Sequence, residues 1–205
     1  MAEQLTLDRR TTAMVVVDMQ NAFLDPKGSL GRMGVPMERT RRPVPHVERL
    51  LVAARSVKVP VVHLRFVLQK DLADLGVLGV KFPPLRELGH CAEGSWDADY
   101  YPGMKPEPGD HELVKNRFSG FHGTGLDSLL RNLHVDTLVV CGVATNVCVE
   151  CTVRDAFMHD YRVVVPAEAT GSYTEEMEAH ALAAMAFSFA TVTRVDEVVR
   201  ALHGP

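Results

Sequence analysis

Short apolar runs alternate with longer segments in which apolar residues recur every three or four positions. The short runs have the composition of buried strands, and the periodic segments that of amphipathic helices. The sequence predicts strands at 13–17, 59–66, 112–114, 137–141, 162–165 and 191–195. It predicts helices at 43–56, 126–133, 146–159, 174–186 and 197–202, and a loop at 24–36. This alternation indicates an α/β fold, with a parallel sheet that helices cover on both faces.

Residues with catalytic potential follow three of these strands. Asp18 follows the first strand, Lys115 the third, and Cys148 comes shortly after the fourth. Carboxyl ends of parallel strands meet at one edge of the sheet, and ligands bind there where the strand order reverses. Cys148 falls in the first turn of a helix that Thr145 or Asn146 is expected to cap. Unpaired N–H groups and the helix dipole predict a lowered thiol pKa there, and a place for an oxyanion.

Composition excludes several classes of protein. The chain has 205 residues, 46% of them hydrophobic and 23% charged, as expected for a single globular domain spanning 1–205. A net charge of −4 gives no reason to expect nucleic acid or an anionic membrane as a partner. The first ten residues lack the apolar centre of a signal peptide, and no apolar stretch could span a bilayer. Four cysteines, two of them three residues apart, do not suggest a disulfide framework, so we expect a cytoplasmic protein.

Residues 68–109 show the least regular pattern. This segment contains five prolines and the only tryptophan of the chain, Trp96. A long irregular segment within a compact domain is usually functional. We therefore expect residues 68–109 to form a lid or a pocket wall.

Three stretches together resemble the isochorismatase-like cysteine hydrolases: VVVDMQNAF around Asp18, LVKNRFSGF around Lys115 and GVATNVCVE around Cys148. The resemblance covers roughly residues 10–200, and GSWD and PGD add a likeness to ureidoacrylate amidohydrolases within that family. It implies a three-layer α/β/α fold with a six-stranded, mostly parallel sheet of order 3-2-1-4-5-6. It also implies a homo-oligomer and a cis peptide bond before Ala144.

The resemblance implies a catalytic triad of Asp18, Lys115 and Cys148. Asp18 would accept the thiol proton, and Lys115 would keep the charged groups in place. The Cys148 sulfur would attack the carbonyl of a small linear amide, ureido or carbamoyl compound and form a thioester, with release of ammonia. Backbone N–H groups of Ala144 and Cys148 would form the oxyanion hole.

Seven residues are predicted substrate contacts, chosen because they are polar or aromatic and lie near these motifs: Gln20, Asn21, Phe23, Trp96, Phe118, Asn146 and Tyr173. Asn146 has the alternative role of helix cap. No metal or other cofactor is predicted, because the Asp-x-His pair of the metal-bearing nicotinamidases is absent after the second strand. His63 lies in that region and would be the first metal ligand to test.

Two other functions stay open. The first is vinyl ether hydrolysis of the isochorismatase type, in which acid catalysis by Asp18 suffices. The second is a non-enzymatic dithiol protein, because Cys148 and Cys151 form a C-x-x-C pair. Cys141 and Cys151 are otherwise expected to be core residues.

Overall fold

A seven-stranded parallel sheet forms the centre of the computed structural model, which describes residues 5–204. Its strands are β1 (Thr12–Val17), β2 (Val61–Phe66), β3 (His111–Lys115), β4 (Thr137–Val143), β5 (Arg162–Pro166), β6 (Thr170–Gly171) and β7 (Thr191–Thr193). The main path has the order β3-β2-β1-β4-β5-β7, and β6 pairs with β4. The predicted order is confirmed, with the last predicted strand as β7 and β6 as an addition.

Burial along the strands explains why sequence pattern located them well. Every residue of β1 and of β4 is buried, as the uninterrupted apolar runs predict for central parallel strands. The edge strand β3 instead alternates exposed and partly buried positions. The prediction that Gly142 ends the fourth strand is wrong, because β4 continues to Val143.

Helices cover both faces of the sheet. They are α1 (Asn21–Leu24), α2 (Ser29–Arg32), α3 (Glu38–Arg41), α4 (Val44–Ser56), α5 (Val77–Lys81), α6 (Pro84–Leu88), α7 (Leu126–Asn132), α8 (Glu150–Met158), α9 (Glu175–Ser188) and α10 (Val195–His203). Apolar residues of α1, α4 and α10 pack on one face, and those of α7, α8 and α9 on the other. This arrangement confirms the predicted three layers. The predicted loop at 24–36 is partly wrong, because α2 lies within it.

The helix that follows β4 begins differently from the prediction. A π-helix, Thr145–Val149, precedes α8, and Ala144 occupies the N-cap position without a side-chain hydrogen bond. The predicted capping by Thr145 or Asn146 is therefore wrong. The Asn146 amide oxygen instead accepts a hydrogen bond from Ser172 Oγ.

The segment 68–109 is more ordered than its sequence suggests. It contains the two five-residue helices α5 and α6, and an isolated antiparallel bridge joins Gln20 to Tyr100. That residues 68–109 form a lid or a pocket wall remains a prediction. Across residues 5–204, no helix combines the length and the apolar character that a membrane crossing requires.

Candidate active site

The carboxyl ends of β1, β2, β3 and β4 place the three predicted catalytic side chains together. β1 pairs with both β2 and β4, and β2 also pairs with β3, so Asp18 lies centrally between Lys115 and the turn that carries Cys148. Asp18 has a positive φ of 51°, a conformation uncommon for a residue other than glycine. Beside it, Gly142 has φ 115°, and a Cβ there would be 2.1 Å from the Val17 carbonyl oxygen. Only glycine therefore allows β4 to approach β1 this closely.

A buried ion pair joins Asp18 to Lys115. Lys115 Nζ donates to Asp18 Oδ2 at 2.7 Å, and the two residues are 2% and 0% exposed, respectively. The ammonium also donates to the Arg117 carbonyl oxygen at 3.2 Å and lies 4.9 Å from the centre of the Phe66 ring. Within residues 5–204, Asp18 Oδ1 is buried and has no hydrogen-bond partner. The carboxylate thus has one oxygen held by Lys115 and one oxygen available as a proton acceptor.

The surroundings shift the pKa of both members of this pair. Burial raises the pKa of Asp18, although the Lys115 charge acts in the opposite direction. Burial lowers the pKa of Lys115, but the neighbouring Asp18 and Cys148 outweigh it and the net shift is upward. We assign a carboxylate and an ammonium, because a buried charge requires its partner.

Cys148 is buried, and its surroundings shift the pKa of its thiol upward. Its side chain is only 5% exposed. Burial raises the pKa of Cys148 well above its ordinary value, and the negative charge of Asp18 raises it further, while Lys115 lowers it. This upward direction is opposite to the predicted lowering, because burial removes the water that would stabilise a thiolate. A nucleophilic Cys148 would have to lose its proton as it attacks, and Asp18 Oδ1 is a buried oxygen that has no hydrogen-bond partner within residues 5–204.

The predicted oxyanion hole lies where the chain leaves β4. The peptide bond between Val143 and Ala144 is cis, as the family resemblance implied. Thr145 follows, and its hydroxyl is buried without a hydrogen-bond partner within residues 5–204. Sequence analysis missed this hydroxyl, and it also missed the Phe66 ring beneath Lys115. The Phe66 ring had no local signal, because only the strand order brings the end of β2 between Asp18 and Lys115, whereas Thr145 lies three residues before Cys148 and was considered only as a helix cap.

Two of the predicted substrate contacts instead hold the segment 96–99 in place. The Gln20 amide is fully buried, accepts from Phe66 N at 2.7 Å and donates to the carbonyl oxygens of Phe66 and Ala98, both at 2.9 Å. Both amide N–H groups of Gln20 are used within the protein and its oxygen already accepts one hydrogen bond, so the amide holds these segments together, and its role as a substrate contact remains a prediction. Asn21 Nδ2 donates to the Trp96 carbonyl oxygen at 2.8 Å. The Asn21 amide oxygen has no partner within residues 5–204 and stays a candidate.

The aromatic candidates divide by exposure. Phe23 is 8% exposed and packs edge-to-face on Phe66, with ring centres 6.3 Å apart. Trp96 is 51% exposed, and Phe118 lines an open cleft of about 340 Å³. Burial raises the pKa of Tyr173, and Cys148 and Asp18 raise it further when they are ionised, which places its phenol near both groups. Tyr173 is thus the aromatic candidate that the electrostatics link most directly to the thiol.

The other cysteines differ from Cys148 in their surroundings. All four cysteines are free thiols. Cys141 is fully buried within β4, as expected of a core residue, and burial raises its pKa. Cys151 is half-buried on α8 and lines the same cleft as Phe118. Fully buried Cys91 is close enough to Asp18, Lys115 and Cys148 for their charges to affect its pKa, a proximity that sequence analysis missed.

Two groups of residues, each containing one buried histidine, could be considered as metal ligands. His63 is fully buried, and its Nε2 lies 3.2 Å from Asp110 Oδ2. In residues 5–204 one group has ligand atoms close enough for a metal, within 4.8 Å of one another: His90, Cys91 and Asp97. Sequence spacing did not indicate this group, because folding brings it together. Its polar atoms already have protein partners: Asp97 Oδ2 accepts from Ser29 Oγ at 2.7 Å and from Cys91 N at 2.8 Å. The expectation of no metal remains a prediction.

Fold and site geometry together agree with one class of enzyme. The chain belongs to the isochorismatase family, whose domain matches residues 12–197, and it is a hydrolase of that family. It is 36% identical to the ureidoacrylate amidohydrolase RutB of Methylobacterium radiotolerans, across 99% of this chain and 84% of that protein. The structure superposes on a cysteine hydrolase from Pseudomonas syringae pv. phaseolicola with a TM-score of 0.89, at 31% identity and 99% coverage of both chains. An N-carbamoylsarcosine amidase from Thermoplasma acidophilum gives a TM-score of 0.75 at 27% identity, covering 91% of this chain and 97% of that one. The resemblance drawn from the sequence motifs is confirmed.

Proposed function

We propose that the protein is a cysteine-dependent amidohydrolase that cleaves the C–N bond of a small linear amide, ureido or carbamoyl compound. The observation that carries this proposal is that Asp18 Oδ1 is buried without a hydrogen-bond partner within residues 5–204, near the Cys148 thiol, while Lys115 holds the other oxygen of the carboxylate. The names of two relatives, a ureidoacrylate amidohydrolase and an N-carbamoylsarcosine amidase, both denote compounds with a C–N bond of this kind.

The reaction begins with transfer of the thiol proton. Asp18 Oδ1 accepts that proton as Cys148 Sγ bonds to the substrate carbonyl carbon, and backbone N–H groups at Ala144 and Cys148 hold the resulting oxyanion. Lys115 keeps the carboxylate oriented and offsets the negative charge that develops on sulfur. The C–N bond then breaks as Asp18 returns its proton to the nitrogen, which leaves as ammonia.

A second half-reaction regenerates the enzyme. Water gives a proton to Asp18 and adds its oxygen to the thioester carbonyl carbon. The C–S bond then breaks, and the proton on Asp18 returns to Cys148 Sγ. Each step uses the same pair of atoms, Asp18 Oδ1 and Cys148 Sγ, and the lack of a partner for this oxygen within residues 5–204 supports that role.

Ammonia release from a panel of simple amides, ureido acids and N-carbamoyl amino acids tests this function. We expect turnover with one ureido or carbamoyl class, a covalent adduct on Cys148 in acid-quenched samples, and no turnover by Cys148→Ala. Cys151→Ser is the matched control, since a hydrolase needs one thiol and a dithiol protein needs both. Dialysis against a chelator should not change the rate. Activity that requires Cys151, or turnover of a vinyl ether by Cys148→Ala, would favour the alternative functions.

We also propose that the protein forms a homo-oligomer, as the family resemblance implied. Large apolar side chains are exposed at the ends of α8 and α9: Phe157 is 45%, Met158 74% and Phe187 90% exposed. Phe157 and Phe187 line one open groove of about 780 Å³. Exposed apolar side chains that lie this close together are typical of a surface that contacts another protein.

A further inference from the structure

Glu178 on α9 is a buried carboxylate that the proposed reaction does not use. It is only 8% exposed. Its Oε1 pairs with Arg42 Nη2 at the end of α3, and its Oε2 lies 3.5 Å from Arg39 Nη2. Oε2 also accepts a hydrogen bond from Ser172 N at 3.3 Å. Glu178 therefore connects α3 and α9 to the segment that follows β6.

Ser172 extends this connection to the π-helix Thr145–Val149, which carries Cys148. The serine is fully buried, and its Oγ donates to Asn146 Oδ1. Asn146 lies in the π-helix, two residues before Cys148. The chain of contacts thus runs from two arginines through Glu178 and Ser172 to the turn that presents the thiol.

Strand β6 holds the end of β4, directly before the turn that carries Cys148. Thr170 pairs with Gly142, and Gly171 pairs with Val143, directly before Ala144. A Cβ at Gly171 would be 2.7 Å from the Arg39 carbonyl oxygen, so β6 is pressed closely against α3. Both the oxyanion-hole peptide and Asn146 are therefore held by residues 170–172.

We propose that Glu178 and Ser172 are positioning residues that fix the turn between Ala144 and Cys148 for attack. We call the set of Arg39, Arg42, Glu178, Ser172 and Asn146 the Glu178 clamp. The inference rests on the proposed function for its catalytic consequence. A misplacement of about 1 Å in a reacting group can reduce the rate about 100-fold, so a turn without its own side-chain cap needs support from outside. The hydrogen bond to Asn146 Oδ1 also orients that amide, with its NH₂ group turned away from Ser172.

Two substitutions test the clamp kinetically, with matched variants beside them. Ser172→Ala removes the bond to Asn146, and Glu178→Ala removes the acceptor of Ser172 N. We expect each to lower kcat at least tenfold while KM changes less than threefold. Glu178→Gln keeps an acceptor oxygen and should remain within threefold of wild type. Glu175→Ala is the control, because Glu175 pairs with the same Arg39 but is 88% exposed in its side chain, and it should not change kcat.

Thiol accessibility gives a readout that does not depend on substrate. Cys148 is 5% exposed, while Cys91 and Cys141 are fully buried and serve as internal controls. In Ser172→Ala we expect mass spectrometry to show Cys148 alkylated by iodoacetamide at least fivefold faster, with Cys91 and Cys141 still protected. Faster alkylation of all three thiols would show general destabilisation and overturn the proposal, as would unchanged kcat with unchanged alkylation. If the wild-type protein cleaves no amide but this selective alkylation appears, the clamp holds and the proposed function fails.

Discussion

At the residue scale, we expect the buried pair of Asp18 and Lys115 to affect both stability and activity. Asp18→Asn removes the proton acceptor, and general-base catalysis contributes about 10²–10⁴-fold, so we expect a loss of this size in kcat. The same change leaves the Lys115 ammonium buried without its counter-charge, which costs about 3–5 kcal/mol. The double variant Asp18→Asn, Lys115→Met should regain part of this stability and remain inactive. Urea unfolding and ammonia release measure the two effects. A double variant less stable than Asp18→Asn would contradict a charged pair.

The pH dependence of kcat/KM also follows from this pair. Burial raises the pKa of Asp18, and the acceptor role requires its ionised form. Activity should therefore be lost as the pH falls through a pKa above the ordinary value of 3.8. No alkaline limb is expected near pH 8, because the pKa of Cys148 and that of Lys115 are both raised. A bell-shaped profile falling above about pH 8 would instead indicate a thiolate held in advance.

At the element scale, the close approach of β4 to β1 determines the shape of the site. Gly142 has φ 115° and no space for a Cβ beside Val17, whereas Gly109 has φ 103° and nothing within 4 Å of its Cβ position. Gly142→Ala should therefore destabilise the protein by more than about 1 kcal/mol. Gly109→Ala is the matched control, since it suffers the same conformational strain without the collision. Thermal unfolding of both variants measures the difference, and equal melting temperatures would contradict the close approach.

Elements differ in how well the sequence predicted them. The helix predicted at 174–186 begins as α9 with Thr174 at its N-cap, because Thr174 Oγ1 accepts from Met177 N within its own turn. The same reasoning from cap preferences gave a wrong start for the helix after β4, where Ala144 occupies the N-cap position. There Asn146 bonds to Ser172, which is distant in sequence, so no local pattern could reveal the partner. Local hydrogen bonds are visible in a sequence, and distant ones are not.

At the scale of the whole molecule, oligomerisation is the property to measure. We expect light scattering to show a dimer or a larger assembly at micromolar concentration. Phe187→Glu should lower the measured molecular mass of the assembly. Phe187 is 90% exposed, and the change places a charge on the apolar surface at the end of α9. Val52→Glu is the control, an exposed apolar position on α4. A monomeric wild type, or equal masses for the two variants, would contradict an interface at the ends of α8 and α9.

The sequence by itself determined the fold class and, through family resemblance, the strand order. It also identified Asp18, Lys115 and Cys148 as the catalytic candidates. These signals are local, because buried strands are apolar runs and the three residues follow strand ends within short motifs. Only the tertiary structure decided the upward shift in the pKa of Cys148, the bracing role of Gln20 and the connection from Glu178 to Asn146. Burial and partners distant in sequence control all three, and both arise only when the strands and helices pack.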